Sequence, residues 1–426
     1  MRELDKVIGY EGVKSDLYKI IDLLKNKEKY EALGVKMPHG ILLDGSPGIG
    51  KTLMAECFIK ESGRKAFTVR KDKPDGEFVN YIKQTFEEGA NNSPSIVFLD
   101  DMDKFANEDD LHRDAEEYVT VQTCIDEVKN KDVFVIATTN EMRNLPGSLT
   151  RKGRFDWVIH LSFPRDDDAR RIIDHFLSDK QVDPDVDSEE IMRFCRGYSC
   201  AALEGVINDA GLHAAYDGKT TITQKYIIDS CIRNFYHAAE PYEVSEEDMW
   251  RRAIHEAGHV TVAELLAPGS VDFVSINANA LNGVGGMVAR KKLESEAFKN
   301  REISVQIALA GKAATEIILG EIDTGNNMDM RTAFDFTRSI IDDLTAYGFD
   351  SWCHGKETSS KVYDNLDTGT CVEMSRYYLQ VKKMIIDNRS FLEELAKRLF
   401  AEKTISYKVI AQVKDSINTI VSVEAS

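Results

Sequence analysis

The chain has 426 residues, with 54 Lys and Arg against 72 Asp and Glu and a formal net charge of −18; 42% of residues are hydrophobic and 30% charged. That apolar content excludes disorder over most of the length, and at about 100–200 residues per domain two to four domains are expected. A field of this sign repels phosphate backbones and anionic membrane surfaces, so neither nucleic acid nor membrane is an expected partner.

The first residues, Met1 to Gly12, contain no apolar core of a signal peptide, and the longest apolar runs, such as Ser95–Leu99 and Val133–Ala137, fall far short of the ~20 residues that span a bilayer. Seven cysteines, an odd number without a C-x-x-C pair, point to a reducing compartment rather than a disulfide framework. A cytoplasmic protein without membrane insertion is expected.

In sequence order, residues 1–165 alternate apolar strands with amphipathic helices. Strands are expected at Gly40–Asp44, Ser95–Asp100, Val133–Thr138 and Trp157–Phe163. Helices are expected at Thr52–Glu61, Glu77–Glu88 and Glu116–Val128. This alternation implies a parallel sheet covered on both faces. Residues 166–236 read as helical only, with segments Asp166–Phe176, Ser188–Cys195, Ala201–Tyr216 and Thr223–Phe235. The acidic stretch 237–248 reads as a linker. Helical patterning dominates 249–426, apart from the β-type, glycine-containing Val271–Val288.

Gly45, Ser46, Pro47, Gly48, Ile49, Gly50, Lys51 and Thr52 fit G-x-x-x-x-G-K-[ST] between a strand and a helix, the context this phosphate-binding motif requires. The glycines let backbone N–H groups wrap phosphates at a helix N-terminus, Lys51 reaches the outer phosphates, and the Thr52 hydroxyl suits Mg²⁺. Asp100 and Asp101 end an apolar strand: Asp100 is the expected Mg²⁺ partner and Asp101 the group that polarises the attacking water. Asn140, after the strand Val133–Thr138, is placed to orient that water or the γ-phosphate. Arg151 and Arg154 follow on a loop; in a ring ATPase such arginines reach a neighbour's γ-phosphate.

His255, Glu256 and His259 form H-E-x-x-H within an amphipathic helical stretch. The i, i+4 spacing puts both imidazoles on one face, where they can share a Zn²⁺ ion, and Glu256 beside them can take a proton from the attacking water and return it to the leaving amine. A third ligand is required. Glu316, Glu321, Asp323 and Asp329 are all candidates, and spacing does not choose between them.

In this order, the P-loop, Asp100, Asn140, Arg151/Arg154 and H-E-x-x-H resemble the FtsH-like AAA+ zinc metalloproteases. The resemblance runs from Val7–Tyr10 through Leu33–Ala55, Gly153–Asp156, Gly197–Leu203, His255–His259 and Leu309–Ala314 to Thr324–Met330, nearly the whole sequence. It implies an α/β AAA+ P-loop module, a parallel sheet (1–165) plus a helical lid (166–236), followed after the linker by a mostly α-helical zinc metallopeptidase domain (249–426). It extends the nucleotide site to Ile8, Gly9 and Leu53 and matches Asp329 to the family's third zinc ligand. It further implies ATP, Mg²⁺ and Zn²⁺ as cofactors, a homohexameric ring, and protein or peptide substrates that pair with an edge strand in Asn282–Val288.

The sequence departs from the family pattern at four places. Asp101 stands where the family has Glu, one methylene longer. The pore-loop stretch Arg70–Gly76 puts Pro74 where an aromatic belongs, Phe78 being the nearest. No segment of this sequence reads as the family's transmembrane anchor, and Cys200 and Ala202 replace Gly and Asp in the lid motif. The expectation is an ATP-dependent zinc endopeptidase. One alternative is a zinc peptidase whose weakly active ATPase module serves assembly or regulation; another is a non-proteolytic AAA+ remodeller.

Overall fold

A computed structural model describes residues 2–72, 75–107, 115–237, 244–277, 285–291, 297–322, 327–353, 355 and 358–417. The chain divides into two compact units, Met1–Ile227 and Ile228–Ser426.

The first unit opens with α1 (Glu11–Lys25) and α2 (Lys27–Glu31). It continues through β1 (Gly40–Gly45), α3 (Lys51–Ser62), β2 (Lys65–Val69), α4 (Asp75–Asn91), β3 (Ser95–Leu99), α5 (Ala115–Val128), β4 (Val133–Thr139) and β5 (Trp157–Leu161). The strands form one parallel sheet in the order β2-β3-β4-β1-β5. Four of them match the expected strands; β2, with its largely exposed or half-buried pattern, escapes an apolar-run criterion.

Strand alternation explains the two cores. Ile41, Leu43, Ile96, Phe98, Phe134 and Ile136 face one side and pack with α1 and α3, through Leu17, Ile20, Met54 and Phe58. Leu42, Val97, Leu99, Val135 and Ala137 face the other and pack with α4 and α5, through Phe78, Ile82, Val121 and Ile125. A central strand with both faces covered is buried along its whole length and therefore mostly apolar, as β1, β3 and β4 are, with Asp44, Ser95, Thr138 and Thr139 the polar exceptions.

Four helices follow: α6 (Asp166–Leu177), α7 (Ser188–Phe194), α8 (Cys200–Tyr216) and α9 (Gln224–Tyr236). Three aspartates in the first turn of α6 suit its positive N-terminal end. The Asp187 and Ser199 side chains accept from the backbone N–H groups of Glu189 and Ala202, capping α7 and α8.

In the second unit α10 (Glu246–Leu266) begins with Ser245 accepting from the Asp248 N–H and with acidic residues in its first turn. The unit continues with β6 (Val271–Ser275), β7 (Met287–Arg290), α11 (Phe298–Leu319), α12 (Asn327–Ile341), α13 (Ser360–Asp387), α14 (Arg389–Glu402), β8 (Thr404–Ser406) and α15 (Tyr407–Ser416). The three strands form an antiparallel sheet, β7-β6-β8, with β7 at an edge. Helix α10 is buried continuously from Ala253 to Glu264. Gly258 lets α11 approach closely: a Cβ there would stand 2.5 Å from the Ala314 Cβ and 2.8 Å from the Ala310 carbonyl oxygen. Val305, Leu309, Tyr377, Val381, Phe391 and Leu395 complete this core.

Among the described residues no helix is long and apolar enough to cross a membrane. Pro74, Gly283 and the segment Thr324–Asn326 lie outside the described residues, as do 238–243 of the linker 237–248 and the start of Asn282–Val288.

Candidate nucleotide and metal sites

Parallel pairing aligns the carboxyl ends of β1, β3 and β4, with Asp44 opposite Thr139 and Leu99 opposite Ala137. Gly45, Thr139–Asn140 and Asp100–Asp101 therefore share one edge, where open α/β sheets bind ligands. Gly45 and Gly50 hold backbone φ values of 152° and 93°, and a Cβ on Gly45 would stand 2.3 Å from the Leu161 carbonyl oxygen. Only glycine fits that turn.

The Lys51 ammonium donates to the Gly45 and Ser46 carbonyls at 2.6 and 2.9 Å and to Asn140 Oδ1 at 2.8 Å. Burial pulls its pKa down, against the attraction of Asp101, Asp103, Asp44 and Asp100. Thr52 and Thr138 each donate a hydroxyl to Asp100 Oδ1, at 3.0 and 2.9 Å. The other Asp100 oxygen accepts from Arg70, through Nε at 3.0 Å and through a terminal guanidinium nitrogen. Asp101 sits in the left-handed region at φ 53°, and its carboxylate accepts from Lys104 at 2.6 Å.

Asn140 is fixed by Asp103, which accepts its backbone N–H at 2.9 Å. Ile49 is buried, whereas Leu53 and Pro47 are exposed. Gly9, at φ 74°, abuts Asp168, which accepts the Tyr10 N–H at 3.3 Å. Ile8 is half-buried beside it. The α8 start meets the P-loop: Ala201 N–H donates to the Gly48 carbonyl at 3.0 Å, and Cys200 lies 3.9 Å from that of Ile49.

The two arginines do not join this group within one subunit. Arg154 is held by Asp126, at 2.8 Å from one terminal nitrogen, and by the Ser148 carbonyl at 2.7 Å. Arg151 is exposed and makes no side-chain ion pair among the described residues.

The metal candidates converge on helices of the second unit. His255 and His259 lie on α10, and Asp329 in the first turn of α12. The two histidine Nε2 atoms are 3.0 Å apart, and Asp329 Oδ2 is 3.0 and 3.3 Å from them. This His₂Asp set is the one cluster of potential ligands found among the described residues.

His259 Nδ1 is 2.6 Å from the Ile307 carbonyl on α11, a contact that makes Nδ1 the protonated nitrogen of the neutral ring and leaves Nε2 free to ligate. Gly311 supplies the room: a Cβ there would stand 2.5 Å from His255 Nε2 and 2.6 Å from His259 Nε2. Two imidazoles and a carboxylate in such a cradle fit a zinc ion with an open position.

The rival carboxylates are engaged elsewhere. Glu316 is salt-bridged to Lys382 at 2.5 Å, which with Tyr378 pulls its pKa down to about 2, and Glu321 pairs with Arg251 at 3.2 Å. Asp323 lies outside the described residues.

Burial raises the pKa of Glu256, opposed by His255 and His259. Burial disfavours His259⁺ as well, yet Asp329 outweighs it and lifts that pKa to about 9. Asp329 is itself desolvated, but the same two histidines hold it well below the usual carboxylate range. All four residues line a cleft of about 610 Å³, closed on one side by Gly285, Gly286 and β7. A Cβ on Gly286 would stand 2.5 Å from Glu256 Oε1, so backbone and carboxylate touch. Gly286 and Gly311 fall in stretches that the sequence marks, Asn282–Val288 and Leu309–Ala314, but their contacts with Glu256 and the histidines, and the Ile307 carbonyl, emerge only from the approach of α11 and β7 to α10.

Residues 41–163 match the ATPase family associated with various cellular activities (AAA), and residues 242–413 match peptidase family M41. The chain joins an AAA module to an M41 peptidase module. It is similar to the ATP-dependent zinc metalloprotease FtsH of Lachnoclostridium phytofermentans, 29% identical over 96% of this chain and 74% of that one. It is also similar to FtsH 2 of Phytoplasma mali, at 26% over 96% and 62%, and to FtsH of Ureaplasma parvum, at 28% over 94% and 59%. Against two of these three the chain spans less than two thirds of the relative's length. The AAA match covers the P-loop and Asp100, and the M41 match covers all three candidate zinc ligands.

Proposed function

We propose that this protein is an ATP-dependent zinc endopeptidase acting on protein or peptide substrates. The observation that carries the reading is the convergence of His255, His259 and Asp329 within 4.8 Å beside Glu256, in the same polypeptide as a complete P-loop. His255, His259 and Asp329 would hold the zinc ion. When bound, zinc would supply Lewis-acid polarisation of the scissile carbonyl and the attacking water.

Glu256 accepts the proton released by the attacking water and returns it to the leaving amine, and its buried position keeps that proton out of bulk solvent. Main-chain groups of the edge strand β7 pair with an extended substrate and orient it beside Glu256. In the nucleotide site Lys51 and the Gly45–Gly50 backbone bind phosphates, Thr52 and Asp100 hold Mg²⁺, Asp101 and Asn140 orient water, and Ile8, Gly9 and Leu53 flank the base.

The exposed Arg151, with Arg154 on the same loop, suits contact with a neighbour's nucleotide, and we read the assembly as a homohexameric ring in the cytoplasm. All seven cysteines are free thiols, which agrees with a reducing compartment. The working division is 1–165, 166–236, a linker at 237–248 and 249–426.

A second reading has its own observation. Asp101 is short and its carboxylate is bound to Lys104, an arrangement that favours a slow ATPase serving assembly or regulation of the zinc peptidase.

Zinc content and casein cleavage, measured together, test the proposal. Glu256→Gln should retain about one zinc per subunit and lose cleavage; Asp329→Asn should lose both. Cleavage that survives Glu256→Gln would contradict the assignment.

A further inference from the structure

The cleft that holds the metal candidates also contains a cation that zinc chemistry does not use. Arg290 ends β7, paired in register with Val271 of β6. It is half-buried, lines the cleft, and its one side-chain hydrogen bond among the described residues is a 3.3 Å donation to Ser304 of α11.

No carboxylate among the described residues pairs with it, and burial alone lowers its pKa, with no compensating charge. An uncompensated, partly desolvated guanidinium is costly, and a carboxylate that satisfies its planar fork removes that cost. Of the cleft's other charges, Arg251 pairs with Glu247 and Glu321, and Arg252 lies beside Gly285 at the Glu256 end, not at Arg290. Asp248 is bound by Ser245 at 2.8 Å and lies 3.4 Å from Arg251, while Glu256 and Asp329 stand at the metal end.

Position turns this cation into a ruler along a bound peptide. Gly286 touches Glu256, and Arg290 lies four residues further along β7, about 13 Å at the rise of a strand. Its partner Ser304 precedes Ile307, whose carbonyl holds His259, by about one turn of α11. A substrate strand paired with β7 therefore brings to the guanidinium a side group about two to four residues from the scissile bond.

Resting on the proposed peptidase activity, we infer that Arg290 is a specificity residue that selects substrates carrying a carboxylate two to four residues from the cleaved bond. The side group of an internal Asp or Glu and a free carboxyl terminus present the same chemistry and are separated by the test.

The zinc-loaded full-length protein is given matched fluorogenic peptides with Glu, Gln or Lys at each flanking position, all C-terminally amidated, plus the all-Gln peptide as a free acid. Wild type should cleave one Glu peptide, or the free acid, with a kcat/KM about tenfold above its neutral counterpart. Preference for the Glu peptide locates an internal residue; preference for the free acid locates the substrate's terminus. Arg290→Leu and Arg290→Gln should bring that ratio to about one while still cleaving the neutral peptide, and Arg290→Glu should favour Lys over Glu.

A structural role for Arg290 would lower all rates and leave the ratios alone, which overturns the inference, as does a wild type indifferent to charge. Loss of every cleavage in wild type, with Glu256→Gln no different, would instead count against the peptidase reading itself.

Discussion

Arg70 grips Asp100 through two guanidinium nitrogens, on the carboxylate proposed to hold Mg²⁺. The pair is asymmetric: Asp100 is 3% exposed, whereas the Arg70 side chain is 57% exposed. Arg70 also opens the stretch Arg70–Gly76 that the family resemblance matches to a pore loop. On that proposal Mg²⁺ and Arg70 would compete for the same carboxylate.

Arg70→Ser should therefore lower the Mg²⁺ concentration needed for half-maximal ATP binding. Because the guanidinium is solvent-screened, the shift should be about two- to fivefold rather than orders of magnitude. A magnesium titration of a fluorescent ATP analogue reads it directly; an unchanged midpoint would show that the pair does not guard the metal site.

Asp101→Glu restores the longer carboxylate and lets it reach past Lys104. If water positioning limits turnover, ATP hydrolysis should rise by about tenfold or more. Zinc-dependent cleavage of a short peptide, which needs no threading, should stay the same. Steady-state phosphate release measured alongside peptide cleavage separates the two effects.

Gly311→Ala places a methyl group 2.5 Å from both a carbon and a nitrogen of the His255 ring. The helix gains propensity, so the fold should persist, but the ligands must splay. Zinc affinity should fall about 10- to 100-fold, the usual effect of disturbing the support of metal ligands. Competition with a chelator measures it, with circular dichroism as the folding control.

The metal-free site stores a proton that zinc must expel. His259 is raised from 6.5 to about 9 by Asp329 despite its burial. Below pH 9 the ring is protonated, so apparent zinc affinity should climb about tenfold per pH unit from 6.5 to 9 and then level off. Binding at about pH 7 should release about one proton, seen by calorimetry in buffers of different ionisation enthalpy.

Stability of the metal-free form runs the opposite way. The contribution of His259⁺ is complete below pH 6.5 and is lost as pH rises through 9. That of ionised Asp329, whose pKa is depressed, is present above its ordinary 3.8 and is lost as pH falls towards the folded value.

The chemistry legible in the sequence is local. The P-loop and H-E-x-x-H are contiguous because one turn and one helix face suffice to build them. Alternating apolar segments likewise reveal four of the five parallel strands; β2 escapes because, at the sheet edge, it needs no fully apolar run. Asp329 is singled out by family resemblance and not by spacing. The physical reason for the choice is visible in three dimensions, where Lys382 and Arg251 occupy Glu316 and Glu321 and α12 points Asp329 at the histidines. Arg70, Gly286 and the Ile307 carbonyl act on residues about 30 or more positions away, and Arg290 on a cleft assembled from separate helices; no local periodicity encodes such contacts.

The most direct test of the central claim follows degradation of an unfolded fluorescent protein by the zinc-loaded enzyme, with ATP, with a non-hydrolysable analogue and without nucleotide, using Glu256→Gln as the blank. The account predicts cleavage that requires hydrolysable ATP and vanishes in the blank. Cleavage at the same rate in all three conditions, still abolished by Glu256→Gln, would contradict coupling between the two sites and leave a zinc peptidase whose P-loop module serves assembly or control.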